Sequence, residues 1–310
     1  MNELFHRLSD LAEIPRYGNR WSLENIANWA FYARMPSMKS DSPWVMGILN
    51  VTPDSFSDGG RFLAPEAALK HALSMIQAGA DIIDVGGEST RPGAEPVSLE
   101  EERDRVLPVI ELLRKETDVF LSVDTTKYEL AFEAAALRVN LVNDVNGGED
   151  IRLVSLLKKF PEVQLVLMHR KGDSKTMQNA PQYPMGVVSE VKEKLIWKVK
   201  QFCEAGIEAK RLWLDPGIGF GKTVNHNLDL LRHLDQWVGI AGRVVVGTSR
   251  KSFLSAVLQT TLQEMALREP GTLATHLWAY QKGASVFRVH DVGAMKRALI
   301  TWRAIQHGSF

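Results

Sequence analysis

The sequence predicts a single (β/α)₈ barrel preceded by a helical extension. Between residues 44 and 310, short apolar runs alternate with helix-like segments, and this alternation occurs eight times. Each unit is roughly 30 residues long, which is the length of a βαβ crossover. A doubly wound open sheet is the alternative. Eight units favour the closed barrel, because closure leaves no strand edge unpaired.

The composition is that of a soluble globular protein, with 45% hydrophobic and 24% charged residues and a formal net charge of zero. No global basic field therefore favours nucleic acid or an acidic membrane surface. No run approaches the roughly 18 apolar residues of a membrane span, and the N-terminus lacks the apolar core of a signal peptide. The single cysteine, Cys203, excludes an intrachain disulfide and fits a reducing cytoplasm.

Residues 1–43 are predicted to form an N-terminal extension, and residues 44–310 the barrel. Within the extension, Ser22 is a suitable N-cap for a short amphipathic helix. The prolines and serines of 36–43 then indicate a linker. We expect the extension to pack against the barrel.

Eight short apolar runs predict the barrel strands, because each is too short for a helix and suits a strand buried on both faces. Most of them end abruptly at a polar residue or a glycine. The predicted strands are 44–49, 81–87, 119–124, 140–144, 164–169, 212–215, 243–247 and 285–290.

The segments between these runs carry helix signals. Pro65 opens the first segment and Gly79 follows it, as is common at the two ends of a helix. Ser98 precedes the second segment, whose first turn is acidic and whose last turn is basic, as the helix dipole favours. The predicted helices are 65–78, 99–115, 127–138, 151–159, 186–205, 227–238, an interrupted helix at 252–267, 272–282 and 292–306.

The residues that end the predicted strands are the main functional signal. In a barrel, the carboxyl ends of all strands meet at one mouth, where barrel enzymes place their active sites. A single polar residue there is often only a helix cap, but a whole set at matching positions indicates a site. The set comprises Asn50, Gly86, Gly87, Asp124, Asn143, Asp144, His169, Asp215, Ser249, Arg250, Lys251, Arg288 and His290.

This set has two chemical halves. Asp124, Asn143 and Asp215 are acids and an amide, which suit hydrogen bonds to the edge of a flat heterocycle. Lys251, Arg288 and His290 follow the last two strands.

The cationic half suits a phosphate group, since the loops after strands 7 and 8 are a common phosphate position in barrels and arginine matches phosphate geometry. Asn50 lies beside strand 8 once the barrel closes. Its acidic, hydroxyl-rich loop is a place where a hydrated Mg²⁺ could join the anion.

A glycine-rich stretch at 215–223, DPGIGFGKT, resembles a Walker A motif but fails it, because Pro216 stands where that motif requires glycine. The GxGxxG pattern also fails, because Lys222 occupies its last glycine position. We expect these glycines to let the backbone pass close to a ligand, with Phe220 as an apolar wall.

Taken together, these motifs resemble the dihydropteroate synthase family over residues 44–292. The first, second and seventh of the following stretches are the most specific. They are GILNVTPDSFSDGGRF at 47–62, DIIDVGGESTRPGA at 81–94, SVDTTK at 122–127, NDVNGG at 143–148, LMHRKG at 167–172, DPGIGFGKT at 215–223, GTSRKSFL at 247–254 and RVHDV at 288–292.

The resemblance implies a transferase of folate synthesis. The family joins 4-aminobenzoate to 7,8-dihydropterin-6-ylmethyl diphosphate, with release of diphosphate and formation of 7,8-dihydropteroate. The resemblance also implies a homodimer formed through the late helices. We expect the loops at 51–61 and 87–97 to close over the substrates and exclude water.

The resemblance further implies roles for individual residues. Pterin binding is expected of Asp124, Asn143, Met168, Asp215 and Lys251. Diphosphate binding is expected of Asn50, Arg288 and His290, with Mg²⁺ held at Asn50. Binding of 4-aminobenzoate is expected of Thr90, Arg91, Pro92, Phe220 and Ser252. Catalysis is expected to rest on Asp124, Asp215, Lys251, Arg288 and His290.

Some residues depart from the pattern expected of the family. Arg170 and Lys171 follow His169 where a Met-Gln-like pair is expected, and this adds charge near the mouth. Two other functions remain as alternatives. One is a methyltetrahydrofolate-dependent corrinoid methyltransferase, which would have no diphosphate to bind. The other is a non-catalytic paralogue that binds a pterin without converting it.

Overall fold

The computed structural model describes residues 43–52, 64–89, 94–172, 177 and 180–308. The helix predicted after Ser22 and most of the two predicted mobile loops lie outside these residues. No helix in the described ranges has the length and apolar character that a bilayer crossing needs.

All eight predicted strands are confirmed, and every ladder between them is parallel. The sheet order is β6-β5-β4-β3-β2-β1-β8-β7, and a bridge between Leu214 and Val244 joins β6 to the start of β7. The sheet therefore curls into the predicted barrel. The strands are β1 Trp44–Asn50, β2 Ile82–Gly86, β3 Phe120–Asp124, β4 Leu141–Asp144, β5 Gln164–Met168, β6 Leu212–Asp215, β7 Val245–Val246 and β8 Val286–Val289.

Helices follow each strand in the described part of the chain. They are α1 Ala64–Gln77, α2 Leu99–Glu116, α3 Tyr128–Ala136, α4 Arg152–Lys159, α5 Val187–Glu204, α6 Val224–Arg232, α7 Ser252–Leu258, α8 Glu269–Gln281 and α9 Val292–His307. Their bounds agree with the predicted segments except after β6 and β7.

The helix after β6 begins earlier than predicted, because Thr223 and His226 cap its first turn reciprocally. The segment after β7 is divided more sharply than predicted. Here α7 ends at Leu258, the next residue, Gln259, adopts a left-handed conformation, and a 3₁₀ turn at Met265–Arg268 leads into α8. As a result, α8 starts three residues before the predicted position, with a proline in its first turn.

The interior of the barrel is filled at the amino ends of the strands. Seven strands contribute one buried apolar residue each to a single layer, and Trp44 and Phe120 pack against it. The ring of Phe120 stacks on that of Trp213 with 6.0 Å between their centroids. This apolar packing closes the amino end of the barrel. The layer comprises Met46, Ile82, Leu141, Val166, Trp213, Val245 and Val286.

The register brings the ends of neighbouring strands level with one another. Asn50 pairs with Gly86, Gly86 with Asp124, and Asp124 with Asn143. On the far side, Met168 pairs with Asp215. The residues predicted to share a mouth are therefore neighbours across the sheet.

Candidate active site

Arg288 is the side chain that joins the two predicted halves of the site. From β8, its Nε donates to Oδ2 of Asp84 at 2.6 Å and its Nη2 donates to Oδ2 of Asp124 at 2.6 Å. Asp84 also accepts a hydrogen bond of 3.0 Å from the amide of Asn143. One cation thus organises side chains from β2, β3 and β4.

Burial and the neighbouring charges change the pKa values of Asp124 and Arg288. Burial raises the pKa of Asp124 to about 7, with the nearby charge of Asp84 acting in the same direction and that of Arg288 opposing it. Burial alone would lower the pKa of Arg288, but Asp84 and Asp124 outweigh it and raise that pKa. Arg288 therefore stays charged, and Asp124 takes up a proton more readily than an exposed aspartate does.

Sequence reasoning missed Asp84. Asp84 lies within the apolar run that predicts β2, yet its side chain is fully buried, and among the described residues only one of its carboxylate oxygens has a hydrogen-bond partner. The signal was present in the sequence, because a carboxylate between apolar residues of a buried strand requires a cationic partner.

Lys251 and Asp215 form the other side of the mouth. Lys251 lies over the ring of Phe220, with its Nζ 3.9 Å from the ring centroid. Loss of hydration and the charge of Arg288 lower the pKa of Lys251 to about 8. Burial raises the pKa of Asp215, whose Oδ1 accepts a hydrogen bond of 2.7 Å from the backbone of Gly217.

The glycines after β6 allow a close approach between two loops of the mouth. A Cβ added to Gly217 would lie 1.8 Å from the carbonyl oxygen of His169, and one added to Gly221 would lie 2.2 Å from that of Lys171. Both glycines also have a positive φ, which favours glycine. The close approach that they allow is to the backbone of the loop after β5.

Lys222 and His169 hold these two loops together. Nζ of Lys222 is 3.1 Å from Nδ1 of His169 and donates to the carbonyl oxygen of Phe220 at 2.9 Å. Burial lowers the pKa of Lys222 to about 7 and, helped by Lys222, that of His169 to about 2. His169 is therefore a neutral residue at a strand end that fixes the loops, and Lys222 is a contact that the sequence did not reveal.

Met168 lies at the end of β5, in a small apolar cluster with Phe220. Val145 and Met177 complete the cluster. This arrangement gives the predicted apolar wall beside Lys251 and Asp215.

The β8 end is tied to the loop after β7 by Ser249. Its Oγ lies 2.9 Å from Nδ1 of His290 and also accepts a hydrogen bond from the backbone of His290. Asn50 is half-buried at the end of β1, where β1 lies beside β8. Asn50 therefore lies on the strand next to the one that carries Arg288 and is followed by His290.

The loop that carries Lys251 is held from behind by His276, within α8, and by Arg268, just before α8. The backbone of Thr248 donates to Nε2 of His276 at 3.2 Å, and burial lowers the pKa of that imidazole to about 3, so it remains a neutral acceptor. Arg268 donates to the carbonyl oxygen of Arg250 at 2.7 Å. Arg250 has a left-handed φ of 58°, which these contacts offset.

Ser252 is exposed at the first position of α7. Thr90, Arg91 and Pro92 lie outside the described residues. A cavity of about 150 Å³ opens beside Asp124 and Phe220 toward the loops after β2, β4 and β5. Within the described ranges, no group of three or more His, Cys, Asp and Glu side chains could hold a metal ion.

Comparison with known proteins gives one consistent answer. The sequence profile of the family described as pterin binding enzymes matches residues 46–290. Dihydropteroate synthase of Escherichia coli K12 is 44% identical over 84% of this chain and 91% of that protein. The enzyme of Bacillus subtilis is 43% identical over 85% of this chain and 91% of its own length.

Solved structures agree with these relatives. A structure of Xanthomonas albilineans dihydropteroate synthase with 4-aminobenzoic acid has a TM-score of 0.80 and 43% identity, covering 86% of this chain and 94% of that one. A structure of the same enzyme in complex with 7,8-dihydropteroate has a TM-score of 0.76 and 40% identity, covering 86% and 95%.

The geometry around Arg288 predicts how Asp124 responds to its neighbour. Replacing Asp84 with asparagine removes a negative charge beside Asp124, so the pKa of Asp124 should fall from about 7. Infrared or carboxyl-carbon NMR titration of Asp84→Asn measures this, with Asp124→Asn assigning the signal. An unchanged or higher pKa would contradict the arrangement.

Proposed function

The chain belongs to the dihydropteroate synthase family of pterin-binding enzymes, and from that membership we propose how its barrel mouth divides the substrates. The reaction of this family is a group transfer. The pterin-bearing methylene moves from diphosphate to the amine of 4-aminobenzoate, which yields 7,8-dihydropteroate. The observation that carries the proposal is the Arg288 contact to Asp84 and Asp124, because it links the pterin half of the mouth to the diphosphate half.

The pterin is proposed to lie among Asp124, Asn143, Asp215 and Lys251, with Met168 packing on the ring. These side chains offer carboxylate and amide oxygens, an amide donor and an ammonium group around one opening. Such a set matches the alternating donors and acceptors on the edge of a pterin. Burial of both carboxylates strengthens their interaction with a ligand, because water competes less there.

The diphosphate is proposed to bind Asn50, Arg288 and His290. Arg288 already lies against two carboxylates, so its positive charge is fixed in position before the substrate arrives. Ser249 orients the ring of His290 in the same way. Preorganised donors of this kind stabilise charge that develops on a leaving group.

Asn50 is also the proposed protein ligand of a Mg²⁺ ion. A single carboxamide oxygen fits this ion, because Mg²⁺ keeps several waters and completes its shell with substrate phosphate oxygens. When bound, the ion would neutralise part of the charge on the leaving diphosphate.

The chemistry then follows from the charges of the mouth. The bond between the methylene carbon and the diphosphate oxygen breaks with its electron pair on oxygen, which leaves a cation that the pterin ring delocalises. The carboxylates of Asp124 and Asp215 favour that cation electrostatically. The arylamine attacks the methylene carbon, the new C–N bond forms, and the amine proton passes to the released diphosphate.

The arylamine is proposed to enter beside Phe220 and Ser252, framed by Thr90, Arg91 and Pro92. Phe220 and Lys251 give the contact that supports this position, because they form one wall where the pterin region meets the start of α7. Closure of the loop at 87–97 over this wall would exclude water, which would otherwise capture the cation.

The corrinoid methyltransferase alternative is disfavoured by the family to which the chain belongs. The non-catalytic alternative is disfavoured by the retained phosphate-binding residues Asn50, Arg288 and His290. A cytoplasmic location is proposed from the single cysteine and from the folate reaction itself.

A homodimer through the late helices is also proposed. Large apolar side chains are exposed there, including Leu267, Trp278 and Ile300. We expect sedimentation or light scattering to give twice the mass of the 34.7 kDa chain. Charged substitutions at Leu267 and Ile300 should shift the protein toward monomer, whereas a wild-type monomer at micromolar concentration would refute the dimer.

The proposed reaction is tested by diphosphate release. Release should require both the pterin diphosphate and 4-aminobenzoate, and chelation of Mg²⁺ should slow it, because charge on the leaving group is then less neutralised. Coupled phosphate detection measures release, and chromatography measures dihydropteroate. Binding of the pterin without release of diphosphate would support the non-catalytic alternative instead.

The role of Asp124 predicts both a rate and a pH effect. Asp124→Asn should lower turnover at least about tenfold, because the negative charge that favours the cation is lost. In the wild type, kcat/KM for the pterin diphosphate should rise as Asp124 loses its proton near pH 7 and fall as Lys251 loses its proton near pH 8. In Asp124→Asn, kcat/KM should not show the rise near pH 7. Near-native rates with an unchanged profile would remove Asp124 from this role.

A further inference from the structure

The loop at 87–97 is held at both of its ends by one side chain. Nζ of Lys127 lies 2.5 Å from Oε2 of Glu88, at the beginning of the loop. It also lies 2.5 Å from Oε2 of Glu102, in the first turn of α2, the helix that follows the loop. Lys127 itself comes from the loop after β3, which begins at Asp124. One ammonium therefore joins three elements that surround the mouth.

The pairing of Lys127 with Glu102 takes place away from water. The side chain of Glu102 is fully buried, and among the described residues its second carboxylate oxygen has no hydrogen-bond partner. Such a carboxylate requires a cation beside it. Burial alone would lower the pKa of Lys127, but hydrogen bonds to Glu102 and Glu88 outweigh this effect and raise that pKa. The ammonium therefore stays charged and holds both carboxylates at neutral pH.

Further contacts fix the backbone on both sides of this ammonium. Nη1 of Arg105 donates to the carbonyl oxygen of Gly87 at 2.7 Å. Helix α2 also packs directly on Gly87, since a Cβ added there would lie 2.8 Å from a methyl group of Val106. On the other side, the backbone N–H of Lys127 donates to Oγ1 of Thr125 at 3.1 Å. The two ion pairs thus join backbone segments that are themselves held in place.

These ion pairs lie next to Asp124. Gly86 pairs with Asp124 across the sheet, and a Cβ added to Gly86 would lie 3.3 Å from the Cβ of Asp124. Burial is the largest cause of the raised pKa of Asp124; Arg288, which pairs with it, opposes the rise, and the charge of Glu102 adds to it. Glu88 and Glu102 line the same cavity as Asp124. The position of the two loop ends therefore determines the shape of the wall beside Asp124.

We propose that Lys127 is a positioning residue of the reaction, because it fixes both ends of the loop at 87–97 beside Asp124. This inference rests on the proposed function, in which that loop surrounds the arylamine. A loop with fixed ends has fewer conformations to lose when a ligand binds, so ordering it costs less free energy. Lys127 therefore lowers the concentration of arylamine that the reaction needs, although its own side chain does not line the cavity.

The test separates the arylamine from the pterin. Lys127→Met should raise KM for 4-aminobenzoate about tenfold, because the loop must then be ordered when the arylamine binds. The affinity for 6-hydroxymethylpterin should stay unchanged, because Asp124 and Asn143 are held through Arg288 and Asp84. Lys127→Arg should restore most of the low KM, since a guanidinium can bind both carboxylates.

Lys127→Met leaves the buried carboxylate of Glu102 without a counter-charge, which would destabilise the fold. Two further variants avoid this. Glu88→Gln releases the beginning of the loop and keeps the pair of Lys127 with Glu102, whereas Lys127→Met/Glu102→Gln removes both charges together. Each should raise KM for 4-aminobenzoate. Adding Glu88→Gln to the double variant should give no further rise, because the ammonium that Glu88 binds is already absent.

Arg103→Met is the matched control. Arg103 donates two hydrogen bonds to the carboxylate of Glu133, so it also joins α2 to α3, the helix that follows Lys127. Neither residue lines the cavity. Arg103→Met should therefore leave KM for 4-aminobenzoate unchanged. An unchanged KM in Glu88→Gln and in Lys127→Met/Glu102→Gln, or an equal loss of pterin affinity in both, would overturn the role of Lys127.

Equilibrium binding separates this inference from the proposed function. Calorimetry with 4-aminobenzoate, in the presence of 6-hydroxymethylpterin and inorganic diphosphate, requires no turnover. If the wild type forms no dihydropteroate, the proposed function fails, while weaker binding of 4-aminobenzoate to Glu88→Gln and to the double variant would still support Lys127. If the wild type turns over and both variants bind 4-aminobenzoate normally, only the inference about Lys127 fails.

Discussion

The guanidinium of Arg288 between Asp84 and Asp124 is the interaction on which the mouth of the barrel depends. Two carboxylates this close and this buried would repel each other without it. Burying an ion pair costs desolvation energy, and such a pair is therefore weak evidence for stability. Here the ion pair fixes the position of the Arg288 guanidinium. A charge held at 2.6 Å from both acids is available to the substrate without further rearrangement.

Residues that do not face the mouth hold the surrounding loops. Arg268 and His276 bind backbone groups of the loop after β7, which keeps Arg250 left-handed and Lys251 directed toward Phe220. Lys222 fastens the loop after β6 to His169. The buried side chains of His169, Lys222 and His276 therefore act as hydrogen-bonding groups that hold the loops, and the proposed chemistry does not use them. A site built from eight separate strand ends needs such contacts, because each loop is otherwise free to move independently.

Charge is distributed unequally around the mouth. The side of β8 and β7 carries Arg288 and Lys251, whereas the cavity toward β2 and β3 carries acids that Lys127 only partly offsets.

The sequence by itself determined the barrel, its eight strands and most of its helices, because period, length and end signals are local properties of the chain. It also identified the strand-end residues, since their position follows from where each apolar run stops. Only the tertiary structure decided which of them touch. Arg288 and Asp84 are 204 residues apart in the chain, and Lys222 and His169 are 53 apart. Such contacts depend on strand order and on close backbone approach, which no local pattern of residues encodes.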